Sequence, residues 1–246
     1  MNNETVSIKG KEGNITAYVA YPAAKKAPAI IVIHEIWGLN ENIKDIANRF
    51  AAEGFLAIAP ELLAGSGVEG QMSMDLLREA ADPATRDEAQ KKMREALAPI
   101  RTPEFAGAMM KKLDSLFKFS KDHPRCDGTV GVAGFCFGGT YSFALAVEEP
   151  QLAFAVSFYG QPPQPFEKIV SISCPVLAFY GEKDANLMNT LSELEAAMKK
   201  YKKDFRAIVY PNIGHAFFND KNPMMYGAEA AGKAWEEVKA FIAPYK

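Results

Sequence analysis

The sequence predicts an α/β fold: a mostly parallel central sheet of about eight strands, flanked by helices on both faces. Three observations carry this expectation. Short apolar, β-branched runs recur along the chain with helical patterns between them, the alternation of a wound sheet. Several runs are apolar at nearly every position, as in Ala29-Ile30-Ile31-Val32-Ile33, which suits a strand covered on both faces. The chain has 246 residues, 48% of them hydrophobic, enough to bury one sizeable core, so a single domain over 1–246 is expected.

Strands are expected at 6–9, 15–21, 29–34, 56–59, 129–133, 153–159, 176–180 and 206–210. The first two alternate more than the rest and read as an antiparallel hairpin at a sheet edge. Asn40 reads as a helix N-cap and Gly54 as a stop, with Ile43, Ile46, Ala47 and Phe50 as the apolar stripe between them. Residues 61–101 are too long for an ordinary connection and mix glycines, methionines and charges with patchy helical periodicity. They read either as peripheral helices or as a substrate-facing cover. Thr102-Pro103 opens a further helix, with proline at its first position and Phe105, Met109, Leu113, Leu116 and Phe117 turned inward. A helical run at 141–148 follows the fifth strand, and 191–201 and 229–242 are the last two helices.

Charge and cysteine usage narrow the function classes. Twenty-eight basic and thirty acidic residues give a formal charge of −2, so no bulk electrostatic attraction to nucleic acid or an anionic membrane is expected. The N-terminus, Met1-Asn2-Asn3-Glu4-Thr5, has neither the basic nor the apolar region of a secretory signal. No apolar run approaches the roughly 18 residues that a membrane span needs. Three cysteines, Cys126, Cys136 and Cys174, make no disulfide framework and suit a reducing compartment, so the expected location is cytoplasmic. His34, His123 and His215 are far apart and no Cys/His pair has metal-site spacing, so neither metal nor cofactor is expected. His34 reads as a hydrogen-bonded residue at a strand end, and His123 as a cation at a helix end. Assembly is expected to be a monomer or weak homo-oligomer.

The sharpest local signal is Val130-Gly131-Val132-Ala133-Gly134-Phe135-Cys136-Phe137-Gly138-Gly139. An apolar strand runs into Gly-x-Cys-x-Gly-Gly and then a helix, the nucleophile-elbow pattern with cysteine in place of serine. The nucleophile sits on a tight, strained turn, and flanking glycines remove the Cβ clashes that such a turn creates. The helix N-terminus behind it favours negative charge on the thiol and on a developing oxyanion. The remaining partners follow in the order nucleophile, acid, histidine. Asp184 comes just past the strand at 176–180, with Glu182 as a competing acid nearer the strand, and His215 lies in a loop after the strand at 206–210. At the carboxyl ends of parallel strands these side chains converge. His215 is thus expected to deprotonate Cys136 and Asp184 to orient the imidazole.

These motifs, with His34-Glu35-Ile36-Trp37-Gly38 after an early strand, Gly181-Glu182-Lys183-Asp184 and Gly214-His215-Ala216-Phe217, resemble the dienelactone hydrolase family within the α/β-hydrolase fold. The resemblance covers almost the whole chain. It implies a cysteine acyl-enzyme hydrolase of small esters or lactones, of the carboxymethylenebutenolidase type. It also implies that Glu35 contacts the resting thiol, and that the Ile36 and Phe137 N–H groups form the oxyanion hole. Family members acting on dienelactone carry an arginine soon after the catalytic histidine, whereas Ala216, Phe217, Phe218 and Asn219 follow His215 here. A second family arginine lies earlier, with Arg78, Arg86 and Arg94 as candidates; Arg94 is carried forward as a substrate contact. Trp37, Phe217 and Phe218 read as contacts for a more apolar acyl or alcohol group. The alternatives are a general carboxylesterase or thioesterase without dienelactone activity, a redox-active thiol protein if Cys126 or Cys174 approaches Cys136, and a non-catalytic binding protein if His215 lies far from Cys136.

Overall fold

The computed structural model describes residues 2–246, so Met1 lies outside the described residues. Eight strands form one sheet in the order β1-β2-β4-β3-β5-β6-β7-β8. β1 (Asn2–Gly10) and β2 (Gly13–Tyr21) make an antiparallel hairpin, and β2 pairs antiparallel with β4 (Leu56–Pro60). From there β3 (Ala27–Ile33), β5 (Cys126–Phe135), β6 (Ala155–Phe158), β7 (Val176–Gly181) and β8 (Phe205–Tyr210) run parallel with β4. β3, β4, β6 and β7 are buried at every position. That is why their sequences are continuously apolar rather than alternating.

β3 pairs with β4 on one side and β5 on the other. The chain therefore leaves β3 toward one edge and leaves β5 toward the opposite edge. The loops after β3 and β5 diverge and open a crevice at their carboxyl ends, where ligands bind in open α/β sheets. The crevice floor is set by register. Phe135, Phe158 and Phe179 are cross-strand neighbours on β5, β6 and β7, with stacked rings 4.6 and 4.5 Å apart. Such aromatic pairs are worth about 0.5–1.5 kcal/mol each beyond burial. This ladder holds the next residues on two of those strands, Cys136 and Tyr159, level with each other.

α1 (Glu41–Ala52) is capped by the Asn40 carboxamide, which accepts the Ile43 N–H at 3.2 Å. α4 (Pro103–Asp122) begins as expected on Thr102-Pro103, with the Thr102 hydroxyl accepting the Phe105 N–H. Residues 61–101 contain α2 (Met74–Ala81), α3 (Arg86–Leu97) and a 3-10 turn, Ala98–Arg101. They bring a small apolar cluster of their own, in which Met72, Leu76 and Ala89 are buried and Ile36 and Trp37 pack against them. The remaining helices are α5 (Phe137–Glu148), α6 (Ala185–Lys200) and α7 (Ala228–Ile242). No helix among the described residues is long and apolar enough to cross a membrane. The expectation of a cation at His123 fails: its Nδ1 accepts the Arg125 N–H, and burial and the Arg125 charge lower its pKa. A ring nitrogen that accepts a backbone N–H carries no proton.

Candidate active site

Cys136 sits between β5 and α5 with φ 55° and ψ −111°, a backbone state that non-glycine residues rarely adopt. Both sides of the turn are held: Cys136 N–H donates to Phe158 C=O and Thr140 N–H donates to Cys136 C=O. Gly134 is obligatory here, since a Cβ on it would lie 2.0 Å from the Gly138 carbonyl oxygen. Strain of this kind costs on the order of 1–3 kcal/mol and persists only where surroundings over-determine it. Its effect is to lift the thiol out of the strand and set it at the first turn of α5, whose leading N–H groups lack intrahelical acceptors.

Asp184 occupies the N-cap position of α6, yet its side chain makes no capping bond. Its Oδ2 is instead 2.5 Å from His215 Nδ1. With Nδ1 engaged, Nε2 is the ring nitrogen left for the Cys136 thiol, which lines the same cavity. Burial opposes charge on the imidazole. The Cys136 charge, the hydrogen bonds to Asp184 and Cys136 and the Asp184 charge outweigh it, raising His215 to about 10. The competing acid is engaged elsewhere: Glu182 Oε2 accepts the Asn212 N–H at 2.8 Å, which ties down the loop that carries His215.

Glu35 is buried at 1% exposure directly after β3. Its Oε1 accepts the Tyr159 hydroxyl at 3.1 Å and its Oε2 accepts the Asn219 amide. Burial raises its pKa, and the two hydrogen bonds and the neighbouring His215 and His34 offset this only in part. The hydrogen bonds of Glu35 thus run to Tyr159 and Asn219, and none runs to the Cys136 thiol that the resemblance implies it contacts. Tyr159 and Asn219 were not foreseen. Tyr159 has a legible signal, since it follows the last residue of a buried strand, as Glu35 nearly does. Asn219 has none beyond lying four residues past His215.

A cavity of about 360 Å³ opens over Cys136 and His215. Its inner wall includes Glu35, Ile36, Phe137 and Tyr159. Its roof comes from 61–101: Met72, Leu77, Met93, Leu97 and Ile100. Trp37 lines it. Phe217 and Phe218 do not. They are 0% and 3% exposed and pack on Phe158 and Tyr159 in the main core, because the chain turns inward at Ala216, φ 58°. Arg94 is exposed and absent from the lining, as are Arg78 and Arg86; the arginine at the cavity is Arg101, which sits where the 3-10 turn brings the chain back to the crevice. Among the described residues no group of three or more His, Cys, Asp or Glu side chains is arranged to hold a metal.

Cys126 and Cys174 are free and buried, with thiol pKa values raised by burial, Cys174 to about 11. Cys126 begins the strand that ends beside Cys136. A bulge opposite Ala27–Ala29 takes up two residues of that strand, so about eight extended steps at about 3.3 Å each separate those two thiol-bearing positions by roughly 26 Å.

Comparison with known proteins points to one family. The model of the dienelactone hydrolase family matches residues 15–246. A Saccharolobus solfataricus protein provisionally assigned as a carboxymethylenebutenolidase is 37% identical over 245 residues, covering 93% of both chains. The protein usf of Aquifex pyrophilus is 36% identical, covering 94% of both. A crystal structure from Klebsiella pneumoniae, provisionally assigned as a dienelactone hydrolase, superposes with a TM-score of 0.81 at 30% identity over 99% of both chains.

Proposed function

The chain belongs to the dienelactone hydrolase family, and on that premise we propose that it hydrolyses small esters or lactones through a thioester on Cys136. One observation carries the reading. Side chains from three separate strand ends gather at one place: Asp184 is hydrogen bonded to His215, and His215 and Cys136 line one cavity large enough for a small ester.

In the proposed cycle His215 Nε2 holds the Cys136 proton, and the thiolate sulfur attacks the substrate carbonyl. The developing oxyanion faces the N–H groups of Ile36 and Phe137, both at the cavity wall. Phe137 is the first residue of α5, so its N–H has no intrahelical acceptor. As the tetrahedral intermediate collapses, the carbon–oxygen bond breaks and His215 passes its proton to the leaving alkoxide. Water then attacks the thioester with His215 as base, releasing the acid and restoring the thiol. Asp184 keeps Nδ1 protonated throughout. Glu35 belongs to the same site as a buried acid beside the imidazole.

The mostly aliphatic roof favours a substrate with an apolar acyl or alcohol group. Among the described residues, Arg101 and His215 are the only basic side chains on the lining. The carboxylesterase reading without dienelactone activity is thus the one that the roof supports, and Arg101 is the group through which a carboxylate-bearing lactone would bind. Three unpaired thiols fit cytoplasmic residence. Cys136→Ala, assayed on p-nitrophenyl acetate and on a dienelactone, tests the whole reading: both activities are expected to vanish, and wild-type turnover in the variant ends it. Arg101→Ala is expected to reduce kcat/KM for the carboxylate-bearing lactone and leave the neutral ester unchanged.

A further inference from the structure

Glu61 lies outside the catalytic line, just past β4, yet it reaches across to the loop that carries Ile36. Its Oε2 accepts the Leu39 N–H at 2.7 Å and its Oε1 accepts the Leu63 N–H at 3.0 Å. Its own N–H donates to Thr16 C=O at 2.7 Å, anchoring it to the neighbouring strand. The approach to the loop is so close that only glycine fits opposite: Gly38 has φ 74°, and a Cβ there would lie 2.8 Å from Glu61 Oε2. Inside the loop, Gly38 N–H closes a turn on Glu35 C=O.

The other end of the same loop is held by His34, which is fully buried. Its Nε2 accepts the Leu62 N–H at 3.0 Å, which leaves the proton on Nδ1, 2.6 Å from Glu35 C=O. The imidazole lies parallel to the Phe137 ring, 5.8 Å between centroids at 8°, and His34 C=O accepts the Gly138 N–H. Both N–H groups assigned to the oxyanion hole are thus referenced to one structure. Ile36 sits in the turn clamped between His34 and Glu61, and Phe137 rests on His34 itself.

We infer that Glu61, acting with His34, is a positioning residue that sets the separation and aim of the two oxyanion donors. The inference rests on the reading of Ile36 and Phe137 above. A carboxylate is suited to the task because both its oxygens accept, and backbone N–H bonds to a charged acceptor are roughly twice as strong as neutral ones. Gln at this position turns one oxygen into a donor facing a backbone N–H, and Asp is too short to reach both amides.

The test measures ester hydrolysis and Cys136 alkylation by iodoacetamide on the same preparations of wild type, Glu61→Gln and Glu61→Asp. Alkylation needs the thiolate but no oxyanion hole. Losing an oxyanion donor outright costs about 10²–10³ in kcat, so a misaimed one is expected to lower kcat about 10- to 100-fold. KM and the alkylation rate are expected to stay within about threefold of wild type. Unchanged kcat in both variants overturns the inference. So does a parallel fall in alkylation, which would make Glu61 a general support of the site. Failure of the underlying reading is separately visible, as hydrolysis surviving in Cys136→Ala.

Discussion

A buried carboxylate that is fully hydrogen bonded can still be costly, and Glu35 is that case. Burial is the largest influence on it and pushes its pKa above the ordinary 4.5. A folded-state pKa above the unfolded one contributes stability at pH below the unfolded value, and that contribution is lost as pH rises through the folded value. Relative to Glu35→Gln, the wild-type protein should therefore lose stability as pH rises above the ordinary carboxyl range toward neutrality. Urea denaturation of both proteins across that range measures it; parallel curves would contradict the burial argument. His215 has the same sign with a different consequence. Its pKa is raised to about 10, so the free enzyme keeps the imidazolium at neutral pH and loses it near that value. The alkaline limb of the kcat/KM profile reports this group. Asp184→Asn removes both a raising hydrogen bond and a raising charge, so the limb should move to lower pH while kcat falls by up to about 10⁴. A limb that stays in place would detach Asp184 from His215. Cys136, His215 and Asp184 were legible in the sequence because strand ends in a parallel sheet converge, so order along the chain substitutes for distance. Tyr159 and Asn219 were not, because hydrogen bonds to Glu35 across 124 and 184 residues leave no local pattern.

At the scale of elements, boundaries failed where function took over the usual signal. α6 starts at Ala185, not near 191, because the residue at its N-cap is Asp184, whose carboxylate serves His215 rather than the helix. α5 starts at Phe137, inside a glycine-rich run that local propensity reads as a turn. Residues 61–101, which read either as peripheral helices or as a cover, form two helices that roof the cavity. Their buried cluster is small and joins the main body through Ile36 and Trp37, so their opening should take less free energy than global unfolding. Amides of α2 and α3 are expected to exchange faster than those of α5, and equal protection would contradict a separately opening cover. Met93 and Leu97 are one helical turn apart on α3, on the face toward the cavity. Leu97→Ala should shift relative kcat/KM about tenfold toward longer acyl groups, the low end of what one methylene is worth in an apolar pocket. A panel of p-nitrophenyl esters of increasing acyl length measures that shift, and an unaltered preference would mean that the roof does not select substrate.

Across the whole molecule, the sheet decides what chemistry the thiols can share. Parallel strands gather their carboxyl ends at one edge and their amino ends at the other. Cys136 lies at the first edge, past the end of β5, whereas Cys126 starts β5 and Cys174 precedes β7. The roughly 26 Å between Cys126 and Cys136 along the bulged β5 exceeds by far the 4.4–6.8 Å Cα separation that a disulfide allows. Burial also keeps the Cys126 and Cys174 thiols protonated, with Cys174 at about 11, so neither is poised to resolve an oxidised partner. Peroxide acting on the free enzyme should thus add oxygen to Cys136 and form no intramolecular disulfide. Intact-mass spectrometry should show one added oxygen atom, with activity lost in proportion and restored by a small thiol reductant. A loss of two hydrogens would instead bring a second cysteine to Cys136 and revive the redox reading. The expected outcome would favour the proposed carbonyl chemistry for that thiol, because the fold places Cys136 at the crevice and the other two sulfurs at the far side of the sheet.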